Sequence, residues 1–230
     1  MSLYFFSWLF TIFVLLGFTW FSIRVIVYTY DEESVPYIQR LSAFLLLWVV
    51  YLVTLSSTGI IHDFDFPPKM PLFVVVPALI IIIFLLTRTA TSRLLENVPI
   101  YLLTGFQGFR IIVEVIIWLA YLEKILPVET TFEGYNYDVL VGLTAIPIAF
   151  YAFRNKLSKG LLIFWNVAGL FILANTVRVF IFSGFFPELL GLESYIGIEF
   201  LTPPLLFIAG IFMPMAVFIH ALSLKKLLST

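Results

Sequence analysis

The chain has 230 residues, of which 62% are hydrophobic and 12% charged, with a net charge of -1 and no cysteine. A mean hydropathy of +1.08 means more apolar surface than a water-soluble domain of this size buries, so lipid is the expected solvent. Without a thiol, disulfides, thiolate nucleophiles and cysteine-ligated zinc or iron–sulfur sites are excluded.

Apolar runs long enough to cross about 30 Å of hydrocarbon appear from Leu3 to Val27, Ile38 to Ile61, Met70 to Leu86, Val98 to Leu122, Val139 to Phe153, Leu161 to Phe182 and Leu201 to Leu224. The expected fold is therefore an all-α integral membrane protein, a single polytopic bundle of about seven transmembrane helices. Met1 to Tyr4 carry no Lys or Arg and no small-residue cleavage site follows, so the first helix is expected to be retained. Pro77, Pro147 and Pro214 fall inside runs and Pro203-Pro204 begins the last, which predicts kinks whose freed carbonyls find partners on neighbouring helices.

Grouping alternate connections separates the charges. Arg24, Arg40, Arg88, Arg93, Arg154, Lys156, Lys159, Lys225 and Lys226 fall on one side, against Lys69 and Lys124 on the other. Cytoplasmic segments collect Lys and Arg, which places the N-terminus outside and the C-terminus in the cytoplasm. The outer side is acidic, with Asp63, Asp65, Glu123, Glu129, Glu133, Asp138, Glu188, Glu193 and Glu199. No internal repeat of the inverted-transporter kind stands out.

Within the fourth run, Gln107, Arg110 and Glu114 share one helical face at 100° per residue, continued by Tyr121. Hydrocarbon penalises a bare guanidinium or carboxylate by several kcal/mol, so this stripe is expected to face the bundle interior. The sixth run adds Asn166, Asn175 and Arg178. At 1.5 Å per residue Glu114 lies about 24 Å from Val98 and Arg178 about 26 Å from Leu161, so the two are expected to meet at one level. Two readings follow. In one, Arg110 and Glu114 pair within their helix and Arg178 bonds helix-end carbonyls, which holds the bundle together. In the other, a polar site opens outward, with Arg110 and Arg178 holding an anionic small molecule or lipid and Glu114 pairing or carrying a proton.

The loop from Pro127 to Asp138 holds Gly134 and Asn136, which permit tight turns, and aromatics that could cap the helices. Either Asp138 or Asn136 caps the fifth helix, or Glu133 and Asp138 line an entrance. The segment Thr131-Phe132-Glu133-Gly134-Tyr135-Asn136-Tyr137-Asp138-Val139-Leu140, with Gly142-Leu143-Thr144-Ala145 after it, resembles the signature of a group of small bacterial integral membrane proteins. There a similar loop follows a helix with an Arg and a Glu four apart, matched here by Arg110 and Glu114, and the later Trp165-Asn166, Asn175 and His220 are also similar. The likeness covers the second half of the chain, is weaker before Leu95 and departs at Thr130, where the group's pattern has Met. It implies a shared architecture and supplies no activity or cofactor.

His62 falls in an outer loop and His220 near the cytoplasmic end of the last run, so they are expected to be interfacial and not to share a metal or haem. A retinal Schiff base lacks its lysine, since the last run has none before Lys225. No phosphate loop occurs, and the basic residues need no nucleic acid to explain them. Three functions stay open: a transporter, channel or ligand-binding protein; a structural or assembly subunit meeting partner membrane proteins or its own copies; and an enzyme acting on a lipid or isoprenoid with Glu114, Glu133 or Asp138 as acid or base.

Overall fold

The computed structural model describes residues 2–190 and 196–229. Glu193, counted above among the outer acids, lies outside the described residues. These residues form nine α-helices and short 3-10 and π turns, with no strand among them. The α-helices are α1 (Leu3–Tyr30), α2 (Val35–Ser57), α3 (Val76–Thr87), α4 (Thr89–Glu96), α5 (Ile100–Phe106), α6 (Arg110–Leu122), α7 (Asp138–Phe153), α8 (Lys159–Phe185) and α9 (Met213–Ser229).

Four helical segments are long and apolar enough to cross a membrane, Leu3–Ser57, Ile100–Leu122, Lys159–Phe185 and Ile208–Ser229. A fifth arises if Pro71–Thr87 and Thr89–Glu96, bent by 71° at Arg88, count as one span, and Asp138–Phe153 is a shorter apolar helix. The first segment folds back on itself. Phe10 packs on Phe212 at 5.2 Å between ring centroids while Trp48 donates to the Gly210 carbonyl at 2.8 Å. A straight helix would hold residues 10 and 48 about 57 Å apart. The reversal is at Asp31, whose φ of 46° ends α1, and Tyr30 stacks on Tyr37 across it.

The surface is apolar and the interior partly polar, the inverse of a soluble domain. Phe13 and Phe171 are each 74% exposed and Trp20 66%, whereas Gln107, Asn136, Asn166 and His220 are each 0% exposed. That distribution suits hydrocarbon outside and polar side chains tying helices within. Helix α9 runs through the middle, touching α3, α4, α5 and α8. With the buried residues Leu205, Leu206, Phe207 and Phe212 before it, it anchors the main core against Leu52, Val74 and Ile117.

Prolines act here through the carbonyls they leave free. Pro77 and Pro214 each sit in the first turn of a helix, α3 and α9, directly after a five-residue π turn, Pro71–Val75 and Ile208–Phe212. Lacking an N–H, Pro77 leaves the Phe73 carbonyl and Pro214 leaves the Gly210 carbonyl without its helical donor. The Tyr51 hydroxyl donates to the first at 2.6 Å and Trp48 Nε1 to the second at 2.8 Å, so one face of α2 serves both. Pro147 instead lies within α7, which continues past it.

Candidate functional site

The α5–α6 segment approaches α7 because small residues line the contact. A Cβ on Gly142 of α7 would stand 2.9 Å from the Ile111 backbone nitrogen, so α6 passes close enough for Arg110 to reach Asp138, one turn before Gly142. Arg110 Nε donates to Asp138 Oδ2 at 2.7 Å and its Nη2 to Asp138 Oδ1, a two-pronged pair between groups 1% and 5% exposed.

Arg110 also donates from Nη1 to His220 Nε2 at 3.0 Å. A guanidinium only donates, so Nε2 accepts, and His220 is the neutral tautomer with its proton on Nδ1. That proton goes to Asn166 Oδ1 at 2.9 Å, and Asn166 Nδ2 donates in turn to the Leu162 carbonyl at 2.8 Å. The imidazole packs against α8 where Gly169 has no side chain; a Cβ there would stand 2.5 Å from His220 Cε1.

On its other side the chain of contacts runs through the loop before α7. Asn136 Oδ1 accepts the Asp138 N–H at 3.1 Å, from just before Tyr137, the N-cap residue of α7, which makes no side-chain cap bond of its own. It also accepts the Thr176 hydroxyl at 2.7 Å. Asn136 Nδ2 donates to both oxygens of Glu114 and to the Thr130 carbonyl, each at 2.9 Å. Six side chains from α6, α7, α8, α9 and the loop thus form one connected interior network: Asn166, His220, Arg110, Asp138, Asn136 and Glu114.

The remaining expected residues stand elsewhere. Arg178 is exposed; its Nη2 donates to Asn175 Oδ1 at 2.9 Å, and Asn175 Nδ2 donates to the Tyr135 carbonyl at 2.7 Å. It therefore braces the loop from outside and does not meet Glu114, because the same height on two helices leaves the direction around each axis free. Glu133 is exposed and accepts from Trp118 Nε1 at 3.0 Å, with Phe132 stacked on Trp118. Gln107 is buried, donates to the Ala216 carbonyl at 3.1 Å, and its Oε1 finds no donor. Arg110 takes Asp138, not Glu114, as its ion-pair partner. With Arg178 outside, one guanidinium faces two carboxyl groups. His220 is a correction of another kind, since it is 0% exposed and central to the network, not interfacial. His62 does lie apart from it.

A cavity of ≈ 80 Å³ adjoins the network. Arg110, Glu114, Asp138 and Thr176 are at its wall, and the rest of its lining is aliphatic and aromatic apart from backbone. Among the described residues no three His, Asp or Glu side chains gather as a metal-binding group. Comparison of the chain with protein-family models, with curated proteins and with solved structures finds no match.

Proposed function

We propose that the chain is a multi-pass protein of the bacterial cytoplasmic membrane that binds or transports a ligand taken into the interior cavity. The observation that carries this is the convergence of Arg110, Glu114, Asp138 and Thr176 on an otherwise apolar cavity, which is the make-up of ligand sites: apolar walls with a few polar groups. A bundle serving only as a scaffold needs no such space and would gain dispersion energy by closing it.

Seven crossings with the N-terminus outside is the topology we attach to this reading. Counting α1 and α2 as two spans, the bent α3–α4 pair as one, α5–α6 as one, and α7, α8 and α9 singly gives that number. The basic residues then share an end. Lys225 and Lys226 bond the Leu86, Leu95 and Glu96 carbonyls, Asn97 donates to Thr29 near the α1–α2 turn, and Ala152, Leu162 and Leu227 cluster together.

Native mass spectrometry of the protein released from its own membrane tests the site. A retained organic molecule is expected on the wild-type chain and not on Ala209→Phe, which adds a ring to the cavity wall. An empty wild-type chain whose unfolding temperature responds to membrane lipid extract no differently from that of Ala209→Phe would remove the proposal.

A further inference from the structure

Arg178 stands on the outside of the bundle without a countercharge: among the described residues it has no carboxylate partner. It gives one of its five N–H bonds to Asn175 Oδ1 at 2.9 Å and lies over the Phe182 ring at 6.0 Å, which leaves four donors on a guanidinium held in place. Asn175 is fixed in turn by the Tyr135 carbonyl. The height of this cation follows from α7, whose 16 residues cover about 24 Å, less than the roughly 30 Å of hydrocarbon. Helix α7 begins level with Thr176, whose hydroxyl reaches Asn136 in the preceding loop, and Tyr135 and Tyr137 of that loop are half exposed. Irregular backbone does not face acyl chains, so Arg178, two residues beyond Thr176, is at the level of headgroups.

Deeper along α8 runs a groove. Leu140 and Thr144 of α7 with Trp165, Ala168, Gly169 and Ile172 of α8 line a space of ≈ 150 Å³ that shares no residue with the interior cavity. A water molecule takes up roughly 30 Å³ in the liquid, so the groove has room for about five groups of that size, the end of one hydrocarbon chain. Leu140 is half exposed, which opens the groove to the outside of the bundle. Its polar atoms serve one another: Trp165 Nε1 donates to Thr144 Oγ1 at 3.0 Å, and that hydroxyl donates to the Leu140 carbonyl at 2.7 Å. Ile172 lies about 9 Å and Trp165 about 20 Å along α8 from Arg178. The hydrocarbon of one leaflet, about 15 Å deep, ends between those two levels.

We infer that this face of α7 and α8 binds one phospholipid, its phosphate on Arg178 and one acyl chain ending in the groove beside Trp165. The several N–H groups of a positioned guanidinium match the oxygens of a phosphate. Hydrocarbon is the solvent of this surface, so the groove fills with a lipid chain. The inference is independent of the interior ligand site.

Native mass spectrometry of the full chain, stripped of lipid in a non-ionic detergent and titrated with dioleoyl phosphatidylglycerol, tests the inference. One molecule is expected to bind saturably, about tenfold more tightly than dioleoylglycerol, which has the same chains and no phosphate. Arg178→Ala is expected to lower phosphatidylglycerol to the level of dioleoylglycerol, and Lys124→Ala, at another exposed outer cation, to change nothing. Ala168→Phe, which fills the groove, should weaken binding about tenfold. If that variant does not fold, dihexanoyl phosphatidylglycerol, whose chains are too short to reach Trp165, makes the same comparison on the wild-type chain. Equal binding of the two dioleoyl lipids, or equal loss in Arg178→Ala and Lys124→Ala, overturns the phosphate contact. Undiminished binding in Ala168→Phe, or of the short-chain lipid, overturns the groove. Displacement by inorganic phosphate alone assigns Arg178 to a free anion and overturns the lipid, as does the lack of any saturable binding.

Discussion

Arg110 ties α6 to α7 and α9, and its ion pair with Asp138 is the contact whose loss should cost most. Asp138→Asn leaves a guanidinium inside the bundle without its balancing charge, and a destabilisation of about 3–5 kcal/mol is expected, read from the unfolding midpoint in mild detergent. Gly169→Ala acts on the opposite end of the network: a methyl group 2.5 Å from the imidazole must displace His220, at an expected cost of about 1–3 kcal/mol. Arg178→Ala should change the midpoint by less than about 0.5 kcal/mol, because its charge is already in solvent or headgroups. Outside the spans, the Lys69 ammonium, helped by the Asp65 N–H, holds the Asp63 carboxyl below its usual value. A depressed carboxyl stabilises above its unfolded pKa, 3.8, and that contribution is lost as the pH falls through the lower folded value. Melting curves of wild type and Asp63→Asn should thus differ at neutral pH and converge below pH 3.8. The Gln107, Arg110, Glu114 stripe was legible because periodicity along one helix fixes a shared face. The partner of each residue was not, because Asp138 and His220 arrive from other helices. His220 looked interfacial from its distance to the chain's basic end, yet the glycine at position 169 was the signal that a ring could lie against α8.

At the scale of elements, α2 is best understood as the partner of two proline-interrupted helices. Pro67 and Pro77 are ten residues apart, as are Pro204 and Pro214, and each second proline follows a π turn at the same offset. The two turns pack on each other. This short correspondence escapes a search for long repeats, since only the prolines, not the side chains between them, are shared. Trp48→Phe removes the donor to the Gly210 carbonyl and should cost about 1 kcal/mol. In a Pro214→Ala background the new Ala N–H can serve that carbonyl, so the same Trp48→Phe change should cost less. A double-mutant cycle giving no coupling between positions 48 and 214 would mean that the indole bond and the missing N–H are unrelated. Helix existence was readable from apolar runs, and so was the need for partners at freed carbonyls. The sharp bend at Arg88 was not, because α4 is short and polar and the two sides of the bend are held by α9, the end of α3 by Lys225 and the end of α4 by Lys226.

For the whole molecule, the proposed topology makes the two ends of the chain lie on opposite sides of the membrane, and the absence of cysteine from the sequence makes this directly measurable. Ser2, Asp65, Lys156 and Ser229 are all exposed, so single replacements Ser2→Cys, Asp65→Cys, Lys156→Cys and Ser229→Cys introduce thiols at positions outside the core. A membrane-impermeant maleimide applied to intact cells is expected to label the first two. The last two should react only after permeabilisation. The physical basis is the excess of Lys and Arg at the end that holds the α1–α2 turn, α4, the α7–α8 connection and the end of α9, against Lys69 and Lys124 at the other. Labelling of Ser2→Cys and Ser229→Cys from the same side would require an even number of crossings, and either α7 or the α3–α4 pair would then enter the membrane without traversing it. Labelling of Lys156→Cys in intact cells with Asp65→Cys protected would keep the count and invert the orientation, which would bring the loop over Asn136 and Asp138 to the cytoplasmic face and change the side from which the cavity is filled.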